Sequence, residues 1–320
     1  MMIDLIKCHG SGNDFILIDE MDQDYGFNEK TRRDLAIRLC DRVNSIGADG
    51  ILYILKSQRA DAVMRVFNAD GSEASMCGNG LRCAARYICE KLGVDRAVVE
   101  TMKADLDVSK EGEIFPGIPA YTVEISPVTF NPSDLPMNTK KQSIILEKVE
   151  TLPDTLKFTA IAVPNPHLVA IVDKEVIGSG LQKEISERLN GPNELFPDGV
   201  NVSFIGYLGP KKIYVRTYER GVGFTNACGT AMSASTLVTC LAGLNKAGEQ
   251  VEVYNNGGMV RCMVVNEGGQ YKISLTGNAT YVFKAKVDTL GTLHSREDFG
   301  EEALYKKLQE HAQQMISEAM

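Results

Sequence analysis

Arg65-Val-Phe-Asn-Ala-Asp-Gly-Ser-Glu-Ala-Ser-Met-Cys77-Gly-Asn-Gly80 and Arg216-Thr-Tyr-Glu-Arg-Gly-Val-Gly-Phe-Thr-Asn-Ala-Cys228-Gly-Thr-Ala231 are two copies of one arrangement. The arginines and the cysteines are each 151 positions apart (216 − 65 and 228 − 77), with no gap between them. Phe67 and Tyr218 fall on the same offset, as do Gly78 and Gly229. Outward from the cysteines, other landmarks follow in the same order. Gly12-Asn13-Asp14 is echoed by Pro164-Asn165-Pro166-His167, Asp49-Gly50 by Asp198-Gly199, and Val99-Glu100 by Val251-Glu252. A spacing this long marks duplication of a whole domain rather than a solenoid repeat. Two related halves, each with one thiol, suit a reaction that acts on both faces of one carbon.

The chain has 320 residues, enough for two domains that each bury a core. Its net charge of −8 argues against nucleic acid as a partner, because phosphate binding needs a basic face. The start, Met1-Met-Ile-Asp-Leu-Ile-Lys-Cys-His-Gly10, lacks the apolar run of a secretory signal, and no stretch is apolar enough for a membrane span. The eight cysteines form no C-x-x-C pair and have no histidine at zinc spacing, so no metal site is predicted. Reduced thiols in a cytoplasm are the expected state. Cys40, Cys83, Cys89, Cys240 and Cys262 sit in apolar patterns and read as small buried hydrophobes.

Short β-branched runs bounded by Gly, Asn, Asp or Pro predict many strands, beginning with 14–19. Helices are predicted over 31–42, 81–91, 176–189 and 231–241. In the first, Leu35, Ala36, Ile37 and Leu39 read as one apolar side; in the second, Leu81, Ala84, Ala85, Ile88 and Leu92 do so, with Gly93 as the stop. Each half is therefore predicted as a strand-rich sheet rolled around one apolar helix, in an α/β (α+β) chain of two pseudo-symmetric domains. Residues 295–320 read as an amphipathic helix without a counterpart in the repeat.

Cys77 and Cys228 each precede a glycine at the start of a predicted helix. Helix N-termini carry unpaired N–H groups and partial positive charge. Two consequences are expected. The thiol pKa should fall below its usual ~8.5. The same N–H groups should also hold an anion such as a carboxylate. Inverting a carbon removes a proton from one face and delivers one to the other, and two thiols can serve as the two bases. The sequence contains no GxGxxG, P-loop or HExxH, so it calls for no cofactor.

Taken together, Cys8-His-Gly-Ser-Gly-Asn13-Asp-Phe, Asn68-Ala-Asp-Gly-Ser-Glu, Cys77-Gly-Asn-Gly-Leu-Arg-Cys, Pro164-Asn165-Pro166-His167, Val200-Asn201, Tyr218-Glu219-Arg220-Gly and Ala227-Cys228-Gly-Thr230 resemble the diaminopimelate epimerase family. The resemblance covers all but the last thirty or so residues. It implies pyridoxal-independent interconversion of LL- and meso-diaminopimelate, for lysine and peptidoglycan synthesis, by a homodimer. It further implies domains over 1–127 with a returning strand at 278–290, and over 128–277, leaving 291–320 as a helical extension. Carried over from the family, Cys77 and Cys228 are the acid/base pair. His167 and Glu219 tune thiol protonation. Asn13, Asn68, Asn165, Asn201, Glu219 and Arg220 grip the substrate, and Gly78-Asn79 and Gly229-Thr230 cradle its reacting carboxylate. Arg65 and Arg216 read as loop braces. The chain departs from the family where Gln is common near Gly50, Glu near Phe224, Gln near Asn226, Gly near Ala231 and Tyr near Phe283. These departures leave open a racemase of another amino acid, such as histidine. A third reading is a non-catalytic amino-acid-binding or thiol redox protein.

Overall fold

The computed structural model describes residues 1–319 and divides into two compact units. The first comprises Met1–Val123 with Thr276–Leu308. It opens with a hairpin of β1 (Met2–Gly10) and β2 (Asn13–Asp19), in which Gly10 pairs with Asn13. The two-residue turn, Ser11-Gly12, has φ of 56° and 79°. Positive φ at both positions is what a tight hairpin needs to match the twist of its strands. Helix α1 (Glu29–Leu39) is capped by Asn28, whose side chain accepts from Thr31 N–H. Strand β3 (Gly50–Leu55) runs parallel to β2, and β4 (Ala62–Asn68) and β5 (Glu73–Ala74) follow antiparallel. Then come α2 (Gly78–Leu92), β6 (Arg96–Glu100) parallel to β4, β7 (Asp105–Phe115) and β8 (Ile118–Ile125). Helix α2 packs against β1, β2, β3, β4, β6 and β7 and forms the unit's axis.

The second unit comprises Glu124–Leu275 and the chain from Gln309. Its elements are β9 (Phe158–Val163), β10 (Asn165–Val172), α3 (Lys174–Ile177), α4 (Leu181–Asn190), β11 (Asn201–Gly209), β12 (Lys212–Glu219), β13 (Gly223–Thr225), α5 (Gly229–Leu241), β14 (Gln250–Asn255), β15 (Gly258–Glu267) and most of β16 (Gln270–Asn278), whose last three residues belong to the first unit. The pairings repeat those of the first unit. Strand β10 is antiparallel to β9 and parallel to β11, β12 is antiparallel to β11 and β13, and β14 is parallel to β12 and antiparallel to β15. Helix α5 packs on β9, β10, β11, β12, β14 and β15. It is buried all round, and two of its hydroxyls bond back to the helix backbone: Thr236 donates to the Met232 carbonyl and Thr239 to that of Thr236. The chain is thus an α/β protein in which each half winds strands about one central helix.

After β16 the chain forms β17 (Thr280–Asp288), antiparallel to β1, then β18 (Leu293–Asp298), antiparallel to β17, and finally α6 (Glu302–Ala319). The helix expected from residue 295 therefore begins at 302, because 293–298 pairs as a strand; Met320, the last residue of that prediction, lies outside the described residues. The helix predicted over 176–189 is two, interrupted around Gly178-Ser-Gly180, where glycine weakens a continuous helix. Two expected core residues lie outside. Ile37 is exposed because it sits only two residues from Leu35 and so points off that face, and Leu92 is exposed beside the left-handed Gly93 cap. Strand β1 was absent from the predicted set, although it pairs with both β2 and β17. No disulfide is formed among the described residues, and Cys240 is half-buried rather than buried. Among the described residues no helix is long and apolar enough to cross a membrane.

Candidate active site

Each thiol stands at the N-cap of its unit's central helix, in extended backbone: Cys77 at φ −144° before α2 and Cys228 at φ −125° before α5. Neither helix start has a side-chain cap or an acidic residue in its first turn. The unpaired N–H groups of both first turns are therefore not claimed by a resident carboxylate. Gly78, Asn79, Gly229 and Thr230 are buried at these two starts.

In the first unit, Cys77 Sγ lies 3.6 Å from Asn13 Oδ1 and donates toward it. Asn79 Nδ2 donates to the same oxygen at 3.2 Å. Asn13 is held from its other end, where its Nδ2 donates to Asp49 Oδ2 at 2.6 Å. Asp49 thereby orients the amide so that its oxygen faces the thiol. Arg42 bridges Asp49 and Asp14 at 2.8 and 2.7 Å. Burial raises the Asp14 pKa, but Arg42 and Lys7 together hold it at about 2. Asn68 stands apart from this cluster, exposed, with its Nδ2 donating to Ser72 Oγ.

In the second unit, Cys228 Sγ is 3.5 Å from Thr230 Oγ1, and the same hydroxyl is 3.0 Å from His167 Nε2. His167 and Asn201 are directly paired across β10 and β11. Asn201 Oδ1 accepts from Arg220 N–H at 2.8 Å, and Arg220 Nη1 donates to the Asp198 carbonyl at 2.9 Å. The Arg220 side chain is exposed, as is Asn165. Glu219 accepts from Thr225 Oγ1 at 2.5 Å. His167 is fully buried, and its Nδ1 has no hydrogen-bond partner among the described residues. Burial, helped by the Arg220 charge, pushes its pKa down to about 3, so the imidazole is neutral.

The thiols depart from the expectation of a lowered pKa. Burial raises that of Cys77, although the N–H groups of Gly80 and Asn79 pull it down. Burial raises that of Cys228 further, and the nearby Glu219 carboxylate adds to the rise against the Thr230 hydroxyl and Ala231 N–H. Loss of water around a small anion outweighs two or three partly aligned dipoles. Burial thus favours the neutral thiol at both positions.

Sequence reading passed over several groups that hold this site. Asp49 entered only as a turn landmark, Arg42 only as the end of a predicted helix, and Arg82 only within a quoted motif, none with a role at the site. Arg82 stands one turn into α2, where its Nη2 donates to Asn79 Oδ1 at 3.1 Å. An arginine among otherwise apolar residues on a buried helix face was the available signal. The braces Arg65 and Arg216 differ in partners. Arg65 pairs with Glu29 and Glu73, whereas Arg216 donates to the Ile177 carbonyl and lies 4.0 Å over the Phe224 ring. Gly50 is explained by space, since a Cβ there would sit 2.5 Å from the Phe67 carbonyl oxygen.

The fold is shared with solved structures. A phenazine biosynthesis protein of the PhzF family from Bacillus anthracis superimposes with a TM-score of 0.66 at 18% identity, covering 90% of this chain and 99% of that one. A hydroxyproline epimerase from Agrobacterium vitis gives 0.57 at 15% identity, covering 91% and 94%. Sequence narrows the assignment. The family model for diaminopimelate epimerase matches residues 5–114 and 159–282. A diaminopimelate epimerase of Listeria welshimeri is 48% identical over 96% of both chains, and one of Ligilactobacillus salivarius is 46% identical over 95% of this chain and 98% of its own. The chain belongs to the diaminopimelate epimerase family.

Proposed function

We propose that this protein is an isomerase that interconverts LL- and meso-2,6-diaminopimelate, with Cys77 and Cys228 as its two bases and no pyridoxal. One observation carries the reading: equivalent positions of a repeated unit each present a thiol at a buried, uncapped helix start. One cysteine, as thiolate, takes the Cα proton, and the other, as thiol, protonates the opposite face. The two exchange protonation states in each turnover, so the reverse reaction uses the same pair. The thiolate forms when the bound substrate's ammonium group supplies positive charge nearby, the thiol proton passing to solvent. The resulting carbanion is poor and needs fixed dipoles, which the first-turn N–H groups of α2 and α5 supply around the substrate carboxylate.

In this reading Glu219 and His167 adjust Cys228, the carboxylate by its charge and the neutral imidazole through Thr230. Asn13 orients Cys77. Asn68, Asn165, Asn201 and Arg220 bind the remainder of the substrate, with the Arg220 fork matching a distal carboxylate. The family resemblance also supports a cytoplasmic homodimer, which sedimentation and fractionation test directly. The decisive experiment is proton NMR of candidate amino acids incubated with the protein in D₂O. Diaminopimelate should exchange its Cα proton, and Cys77→Ala and Cys228→Ala should each lower turnover by about 10²-fold or more while leaving the circular dichroism unchanged. Exchange of histidine alone would assign a different racemase, and a fully active single variant would remove the two-base mechanism.

A further inference from the structure

Helix α6 lies outside the repeat, yet its first turn reaches His9 at the end of β1, beside the Ser11-Gly12 turn that leads to Asn13. Glu301 forms a two-pronged ion pair with Arg86 of α2, at 2.6 and 2.8 Å, and accepts from Tyr281 N–H at 2.9 Å. This fixes the helix start against the helix that Cys77 caps. The next residue, Glu302, lies 3.0 Å from His9 Nε2, and the Tyr305 ring meets the His9 ring edge-on at 4.4 Å. His9 is buried at the end of β1. On its far side, Nδ1 accepts from Gly12 N–H at 3.3 Å, with Asn278 Nδ2 also at 3.3 Å.

The network assigns the tautomer. Donors face Nδ1, so the ring proton belongs on Nε2, where the Glu302 carboxylate receives it. The His9 contact in turn holds the Glu302 carboxyl below its usual pKa. Gly12 is the second residue of the Ser11-Gly12 turn, and Asn13, whose oxygen faces Cys77 Sγ, follows directly. That turn needs holding. Ser11 sits at φ 56°, which a residue with a Cβ adopts at some cost. Ser11 N–H donates to Asn278 Oδ1 at 2.8 Å, and Arg82 Nη2 donates to Ser11 Oγ at 2.9 Å.

We propose that the start of α6 is a positioning element for Cys77: Glu302 fixes His9 in the tautomer that latches Gly12, and so fixes Asn13 against the thiol. The role in turnover rests on the epimerase reading; the link to Cys77 does not.

The test compares Glu302→Ala and Glu302→Gln with the full-length protein, using Lys307→Ala on the exposed side of the same helix as control. The Glu302 side chain is nearly half exposed, so neither change threatens folding. Two quantities are read: kcat and KM with diaminopimelate, and the alkylation rates of Cys77 and Cys228 by iodoacetamide, resolved by peptide mass spectrometry. Glu302→Ala should lower kcat about tenfold with KM little changed, as for a group acting through transition-state geometry. It should shift Cys77 alkylation about threefold or more and leave Cys228 unmoved. Glu302→Gln, which retains an acceptor for Nε2–H, should restore both readouts toward wild type. An unchanged Cys77 rate, or equal changes at both thiols, overturns the proposal whatever happens to turnover. So does an unchanged kcat in a protein that epimerises diaminopimelate. If the wild type leaves diaminopimelate untouched, the substrate reading fails, and the alkylation rates alone decide the positioning role.

Discussion

His167 shows how one residue's surroundings set its chemistry. A histidine after Pro166 is unremarkable in sequence, but here it is buried completely and neutral, with its pKa at about 3 against 6.5 in the unfolded chain. Between those values the unfolded chain binds a proton that the folded protein does not. Stability therefore falls as pH drops from 6.5 toward 3. The slope from this one group is about 1.4 kcal/mol per pH unit. His167→Gln should remove that component, and urea unfolding at about pH 7 and about pH 5 would show it as a shallower loss of stability. Equal slopes in the two proteins would place the protonation elsewhere. Arg220 carries the matching expectation for substrate choice. Its guanidinium is exposed and keeps one donor on the Asp198 carbonyl, leaving the rest of the fork available. Lysine cannot reproduce a two-pronged grip, so Arg220→Lys should lower kcat/KM for diaminopimelate about tenfold or more. Steady-state rates at fixed salt measure this, and an unaltered kcat/KM would mean that another group holds the distal end.

At the scale of elements, the central helices were the most legible part of the chain. Leu81, Ala84, Ala85 and Ile88 recur at helical spacing and all are fully buried, and Gly93 ends the helix in the left-handed conformation. Strand β1 was not legible, because its first half alternates like an edge strand while its last residues are buried on both sides. Pairing with β17, from the far end of the chain, makes it interior. The β1–β2 hairpin shows how closely this element fits α2. A Cβ at Gly10 would lie 2.7 Å from the Asn79 carbonyl oxygen and 2.9 Å from Arg82 Nη2. Both are fixed, one by helix backbone and the other by its hydrogen bonds. Gly10→Ala should therefore cost about 1–3 kcal/mol in denaturant unfolding and lower turnover as well, since Asn79 and Asn13 share the cluster around Cys77. A variant as stable and active as wild type would show that the hairpin can slide away from α2.

For the whole molecule, duplication is the organising fact. Each copy supplies a thiol and a set of helix N–H groups, so in the proposed reaction acid, base and electrostatic stabilisation all come from the chain. Turnover should consequently survive dialysis against hydroxylamine, and the purified protein should show no Schiff-base absorbance band. Loss of activity together with such a band would tie the carbanion to pyridoxal instead. The copies are not equivalent in detail. Cys77 faces an amide oriented by Asp49, whereas Cys228 faces a hydroxyl shared with a buried imidazole.

The sequence by itself determined the repeat, the central helices and the placing of a cysteine before each. These follow from local rules of periodicity, glycine stops and spacing, which need no knowledge of what packs where. The tertiary structure alone decided how those cysteines behave. Whether a thiol is acidic depends on the balance between helix dipoles and desolvation, and desolvation is set by atoms brought in from distant parts of the chain. Here it outweighs the dipoles at both sites. The same holds for the Asn13 amide, turned by a carboxylate 36 residues away, and for His9, whose partner Glu302 is 293 residues away. Contacts across such separations follow no periodicity, so only the folded chain reveals them.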